Sequence, residues 1–139
     1  MSESKIRAAF ETRLKEISAP TVAGWPTGYE NAKFDEPSNK QFQRCWVLFS
    51  RTAPAGFGRK AGEKWTGVFQ VNVTIKANQG AGPAEARLKA LRDHFPRGLA
   101  LVKDGLRIIC ETPYPAPSPV EEADKYTRTF YVPWFCYIG

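Results

Sequence analysis

Residues 65–76, WTGVFQVNVTIK, decide the fold. Trp65, Phe69, Val71, Val73 and Ile75 share one phase of a period-two alternation, with Gly67 between them. Thr66, Gln70, Asn72, Thr74 and Lys76 share the other, where Val68 is the exception. Successive side chains of a strand point to opposite faces, so this stretch reads as a strand with one buried and one wet face. Upstream, Phe42 to Ser50 reads as a second strand, with Cys45, Val47 and Phe49 on one face and Trp46 and Leu48 on the other. Both of its faces are apolar, so both are expected to be covered. The two strands are expected to pair as an antiparallel hairpin through the long connection Arg51–Lys64.

That connection holds Pro54, Gly56, Gly58 and Gly62, and Phe57 is its one large apolar residue. It also holds Arg51, Arg59, Lys60 and Lys64 against Glu63, a net +3 out of the chain's +6. On the amino-terminal side, Ile6, Phe10, Leu14 and Ile17 form one stripe of an amphipathic helix over Ser4–Ile17, stopped before Pro20. Thr21–Asn39 is broken by proline and glycine, with a short strand through Val22 or around Tyr29. Downstream, Pro83 opens a helix with the stripe Ala84, Leu88, Leu91 and Phe95, ended by Pro96 and Gly98. Asp104-Gly105 signals a hairpin between Leu99–Val102 and Leu106–Glu111. Prolines at 113, 115, 117 and 119 impose an extended connection, and Glu121, Glu122 and Asp124 follow as a solvated acidic turn. Tyr126–Ile138 is a long terminal strand whose Pro133 suggests an edge position or a bulge. The element order predicts an α+β fold: a mixed, mostly antiparallel sheet with two amphipathic helices packed on it.

The chain has 139 residues, which fits a single domain over 1–139. Its hydrophobic fraction of 42% supports one core and argues against disorder. No stretch has the apolar length of a membrane span, and the charged, periodic start has no secretory-leader pattern. Cys45, Cys110 and Cys136 lie in strand-like runs without paired spacing, and are expected to be reduced. No phosphate loop or dinucleotide glycine motif is present. A catalytic base would have to be His94, the single histidine, which reads more simply as a helix-end residue meeting the last carbonyls. Glu121, Glu122 and Asp124 could hold a hard cation or simply be wet. The expectation is therefore no enzyme and no cofactor. The 13% aromatic content has two readings. Trp65, Phe69, Trp134 and Phe135 are core and the basic loop is solvated, or aromatics beside lysine and arginine take single-stranded nucleic acid.

Several segments in order carry a resemblance. They are IRAAFETRL, GYENAKFDEP with Asn31, Phe34 and Pro37, WVLF, GVFQVNV, GAGPAEARLKALRDHFPRGLAL, LRIICETPYPAPSPV and the closing FYVPWFCYI. Together they resemble the small tail terminator proteins of long-tailed, lambda-type phages, over nearly the whole chain. The resemblance implies a virion protein assembled in the bacterial cytoplasm. It implies a ring, usually of six subunits, at the head-proximal end of the tail tube, which stops tube growth and joins the tail to the head. Its partners would be other copies of itself, the tube protein, a head-completion or connector protein, and DNA passing the bore without sequence reading. No membrane is implied. A ring also needs unlike patches that meet. The residues expected to supply them are Arg51, Phe57, Arg59, Lys60 and Lys64 of the basic loop, and Tyr131 and Trp134 of the terminal strand. Another phage neck or head-completion protein, or a basic domain for single-stranded nucleic acid, are the alternative readings.

Overall fold

The computed structural model describes residues 2–18, 25–37, 41–58 and 62–138. Among these, the helices are α1 (Ser2–Ser18) and α2 (Gly82–His94). The strands are β1 (Thr27–Gly28), β2 (Phe42–Phe49), β3 (Ala53–Pro54), β4 (Glu63–Lys76) and β5 (Ala100–Lys103), followed by β6 (Leu106–Cys110), β7 (Tyr114–Pro115), β8 (Val120–Glu121) and β9 (Lys125–Ile138). They form one mixed sheet with the main order β1-β2-β4-β9-β6-β5. Only the β1–β2 pairing is parallel; the others are antiparallel, as the element order predicts. The expected strand near Tyr29 is β1, and Val22 lies outside the described residues.

The alternation in residues 65–76 becomes the centre of the sheet. β4 pairs with β2 from Phe42↔Thr74 to Phe49↔Gly67, and along its whole length with β9. Its apolar phase faces the helices: Phe69, Val71, Val73 and Ile75 are all fully buried. Cys45 and Val47 of β2 sit beside Val71 and Phe69 in register, and Phe130, Val132, Trp134 and Cys136 of β9 extend the same face. Against it lie Ile6, Phe10 and Leu14 of α1 and Ala84, Leu88 and Leu91 of α2. Phe10 stacks on Phe69 at 4.7 Å between ring centroids, and Phe95 closes the cluster 5.6 Å from Phe69. Both helices thus cover a single sheet face, in two layers around one core.

β9 is not an edge strand. It lies between β4 and the succession β6, β7 and β8, which corrects the expectation drawn from Pro133. The Pro133 carbonyl accepts a 2.7 Å hydrogen bond from the Glu111 N–H. The amide nitrogen and carbonyl of a strand residue point to the same neighbour, so the proline nitrogen also faces the β6 side. There β6 has ended at Cys110 and β7 begins only at Tyr114. The proline therefore costs the single reciprocal bond to Glu111 just past the end of β6, and it sits inside a central strand without breaking the β4 pairing.

Smaller devices close the rest. Asp104 (φ 49°) and Gly105 (φ 82°) form the predicted β5–β6 turn, whose two positive φ angles explain the Asp-Gly pair. The exposed edge of β2 is blunted where the Glu30 carboxylate accepts from the Val47 N–H at 3.1 Å and pairs with Arg7 of α1 at 3.3 Å. Arg87 of α2 is buried; its Nε donates to Gln43 Oε1, and its guanidinium lies 5.3 Å from the Trp25 ring. Burial pushes Arg87 down to about 10, which leaves it charged at neutral pH.

Candidate assembly surface

The β2–β4 connection is a structured arm at its base. Ser50 N–H donates to the Thr66 carbonyl at 2.9 Å, β3 pairs with Glu63 and Lys64, and Ala55 N–H donates to the Gly62 carbonyl at 3.1 Å. Gly62 takes φ +79° to turn the chain back. Beyond that base the arm leaves the sheet. Residues 51–58 are exposed, and Phe57 is as accessible as an isolated residue, at 105%. Arg51 is exposed on the arm's base. Arg59 and Lys60 lie outside the described residues. Lys64 lies where the arm meets the sheet, its Nζ 4.9 Å from the Phe135 ring and 6.0 Å from the Tyr137 ring. A lysine over two aromatic faces is held by the ring quadrupoles, so this cation is anchored on an aromatic surface.

That surface is the sheet face turned away from the helices. Register places Leu48, Val68 and Pro133 in one row across β2, β4 and β9, with Trp46, Gln70 and Tyr131 in the next. Thr66, Phe135 and Ile109 form a further row. Tyr131 packs on Tyr114 at 5.2 Å and Phe135 on Tyr137 at 5.9 Å. Leu48 stays 45% exposed and Tyr137 58%. At the far end the face is covered. Phe34 packs on Phe42 at 5.7 Å, Arg44 lies over Phe34, and Lys125 pairs with Glu36. Among the described residues no helix or strand covers the rest. The expectation that both faces of β2 are covered therefore holds for the helix face, in part at half-buried Trp46, and fails at Leu48.

Where β6 gives way to β7, this face opens into a cleft of about 450 Å³. Ile109, Pro133 and Phe135 give it an apolar lining, with exposed Arg97 and Glu111 beside them.

Of the residues expected at an interface, Arg51, Phe57, Lys64 and Tyr131 lie on the arm or the open face. Trp134 does not. It is fully buried in the core, 6.2 Å from Phe10 and 5.7 Å from Phe49, which removes its side chain from any contact surface. Period two decides this: Trp134 shares the phase of Phe130 and Val132, and Phe135 takes the other. The open face also carries Leu48, Val68, Ile109 and Glu111, which sequence reading did not single out. The signal was Val68 breaking the polar phase of β4 beside apolar Trp46 and Leu48.

The chain's reactive residue types are held in structural roles. His94 Nε2 lies 2.6 Å from the Arg13 carbonyl, and Arg13 donates to the His94 carbonyl from Nε at 3.1 Å and Nη2 at 2.8 Å. The expected helix-end contact thus exists, but to the carbonyl of α1. Burial pushes the Cys45 and Cys110 thiols up to about 12, which makes them poor nucleophiles. Glu121, Glu122 and Asp124 are exposed in the β8–β9 turn. Among the described residues no group of His, Cys, Asp and Glu is placed to hold a metal, and no helix is long and apolar enough to cross a membrane. The open face and arm offer apolar, aromatic and cationic contact, which is the chemistry of binding.

The family model described as phage tail terminator protein matches residues 5–134. No curated protein matches the chain. One solved structure is 28% identical and superimposes with a TM-score of 0.80, over 100% of this chain and 97% of that one. Another comes from the virion of a native gene transfer agent particle, at 20% identity, with a TM-score of 0.63 over 99% of this chain and 97% of that one. At that identity the likeness is one of fold.

Proposed function

The chain belongs to the phage tail terminator family, a family of virion structural proteins, and from that premise we propose that it caps the head-proximal end of the tail tube as a ring. In this reading a single domain of residues 1–139 assembles, as six copies, in the host cytoplasm. The ring ends tube polymerisation, and its other side presents the surface that a head-completion or connector protein meets.

The observation that carries the reading is the uncovered apolar face with an arm projecting beside it. Soluble monomers rarely leave contiguous apolar surface open, and here exposed Leu48 and Tyr137 flank half-buried Trp46, Val68 and Phe135 on one face. A closed ring needs two unlike patches per subunit, and an arm and a sheet face are unlike. The net charge of +6 supports weak contact with DNA in the bore, which needs phosphate attraction and no base reading.

The test is to add the purified protein to its cognate tube protein during polymerisation. Tubes should stop growing and carry a cap at one end by electron microscopy; unlimited growth at saturating protein would overturn the reading. The arm's basic residues allow a finer test. If they meet protein, replacing Arg59, Lys60 and Lys64 by alanine should raise the concentration needed for assembly and weaken its salt dependence. If they face DNA, assembly should be normal and the defect should appear when tails meet filled heads. A second reading rests on Lys64 over Phe135 and Tyr137, a pattern that also suits stacked bases. It requires a shift of labelled single-stranded DNA at physiological salt by the protein alone.

A further inference from the structure

We infer that Phe57 at the tip of one subunit's arm seats in the cleft lined by Ile109, Pro133 and Phe135 of the next copy of this chain. The inference rests on the ring reading and names its contact.

Phe57 does nothing for the folding of its own subunit, since its side chain is wholly in water. A large apolar side chain held at the end of an ordered hairpin base is the form of an anchor residue, which gains its stabilisation only when a partner dries it. The cleft is the matching form. Its volume of about 450 Å³ and its apolar lining suit an aromatic side chain. It exists because β6 ends at Cys110 and β7 begins at Tyr114, leaving the β9 backbone around Pro133 without a strand on the side away from β4. The exposed rim carries one charge of each sign, Arg97 and Glu111, so the contact rests on the apolar side chain and not on charge. Knob and cleft are both present on one chain, and Phe57 does not enter its own subunit's cleft. Such a pair makes a heterologous contact, with every subunit both donor and acceptor, which closes when the rotation between copies divides a full turn.

The experiment uses the full chain and begins with mass photometry of the unaltered protein over a range of concentrations. One preparation then carries Ala55→Cys, on the arm beside Phe57 and leaving the knob in place, and another Glu111→Cys. They are mixed and treated with a short bismaleimide, with the unaltered chain as blank because its own cysteines are buried. A covalent dimer is expected from the mixture and from neither preparation alone. Phe57→Ala should raise the concentration for half-assembly about ten- to a hundredfold, the effect of leaving one phenylalanine unburied per contact. Its thermal unfolding should match that of the unaltered monomer. If unaltered rings form but the mixture gives no covalent dimer, or Phe57→Ala assembles at the unaltered concentration, the knob-and-cleft contact is wrong and the ring reading stands. If the unaltered chain forms no ring, even with tube ends present, both fall together.

Discussion

Gly67 is the residue that makes room for the Trp134 ring in the core. It falls on the buried phase of β4 between Trp65 and Phe69, where any side chain would point at the helices. A Cβ there would meet the Leu48 carbonyl oxygen and stand 2.6 Å from Cζ2 of Trp134. The indole of Trp134 occupies the space that glycine leaves, and its Nε1 is buried without a hydrogen-bond partner. Its anchorage is therefore packing alone. Gly67→Ala should destabilise the monomer by about 1–3 kcal/mol, because the obstacles are backbone and a ring with no room to retreat. Urea denaturation followed by tryptophan fluorescence would measure it. A loss below about 0.5 kcal/mol, the scatter of ordinary surface changes, would mean that Trp134 shifts freely.

At the scale of elements, the two helices are joined end to end by Arg13 and His94. Each accepts at its backbone carbonyl from the other's side chain, so His94 must carry its proton on Nε2. Burial, the largest influence, pushes the His94 pKa below its ordinary value, while the Arg13 carbonyl pulls it up and the Arg13 charge pushes it down. The unfolded chain takes up this proton near pH 6.5 and the folded chain only at lower pH. Between those values the unfolded state holds more protons, so stability is full above about pH 6.5 and falls as the pH drops through that window. His94→Gln keeps a donor for the carbonyl and cannot titrate. It should flatten this part of the profile of unfolding midpoint against pH, and an unchanged slope would assign the effect elsewhere. The elements themselves were largely readable. The alternation of 65–76, the heptad-like stripes of α1 and α2, and Asp104-Gly105 are local signals with local causes. Pro133 misled because the rule about proline concerns a ladder partner, and the gap between β6 and β7 that limits its cost arises from residues twenty positions away. The two-residue strands β3, β7 and β8 have no pattern long enough to read.

At the scale of the whole molecule, the sheet covers one face with its own helices and leaves half of the other bare. Part of this was readable, since Trp46, Leu48 and Val68 advertise a second apolar face. What would cover it was not, because periodicity reports that a side chain is buried and never by which chain. If the cover is a neighbouring subunit, Leu48→Glu separates folding from assembly. Leu48 is 45% exposed and points away from the core, so a glutamate there can stay hydrated, and folding stability should change by no more than about 0.5 kcal/mol. In a ring the same carboxylate would be driven into the row formed with Val68 and Pro133 beside the cleft, without a partner for its charge. Half-assembly should then need at least about tenfold more protein by mass photometry. Val47→Glu, one residue away on the buried phase, should instead fail to give a folded monomer. Rings of Leu48→Glu at the unaltered concentration would take this face out of the assembly and leave its apolar rows without an occupant.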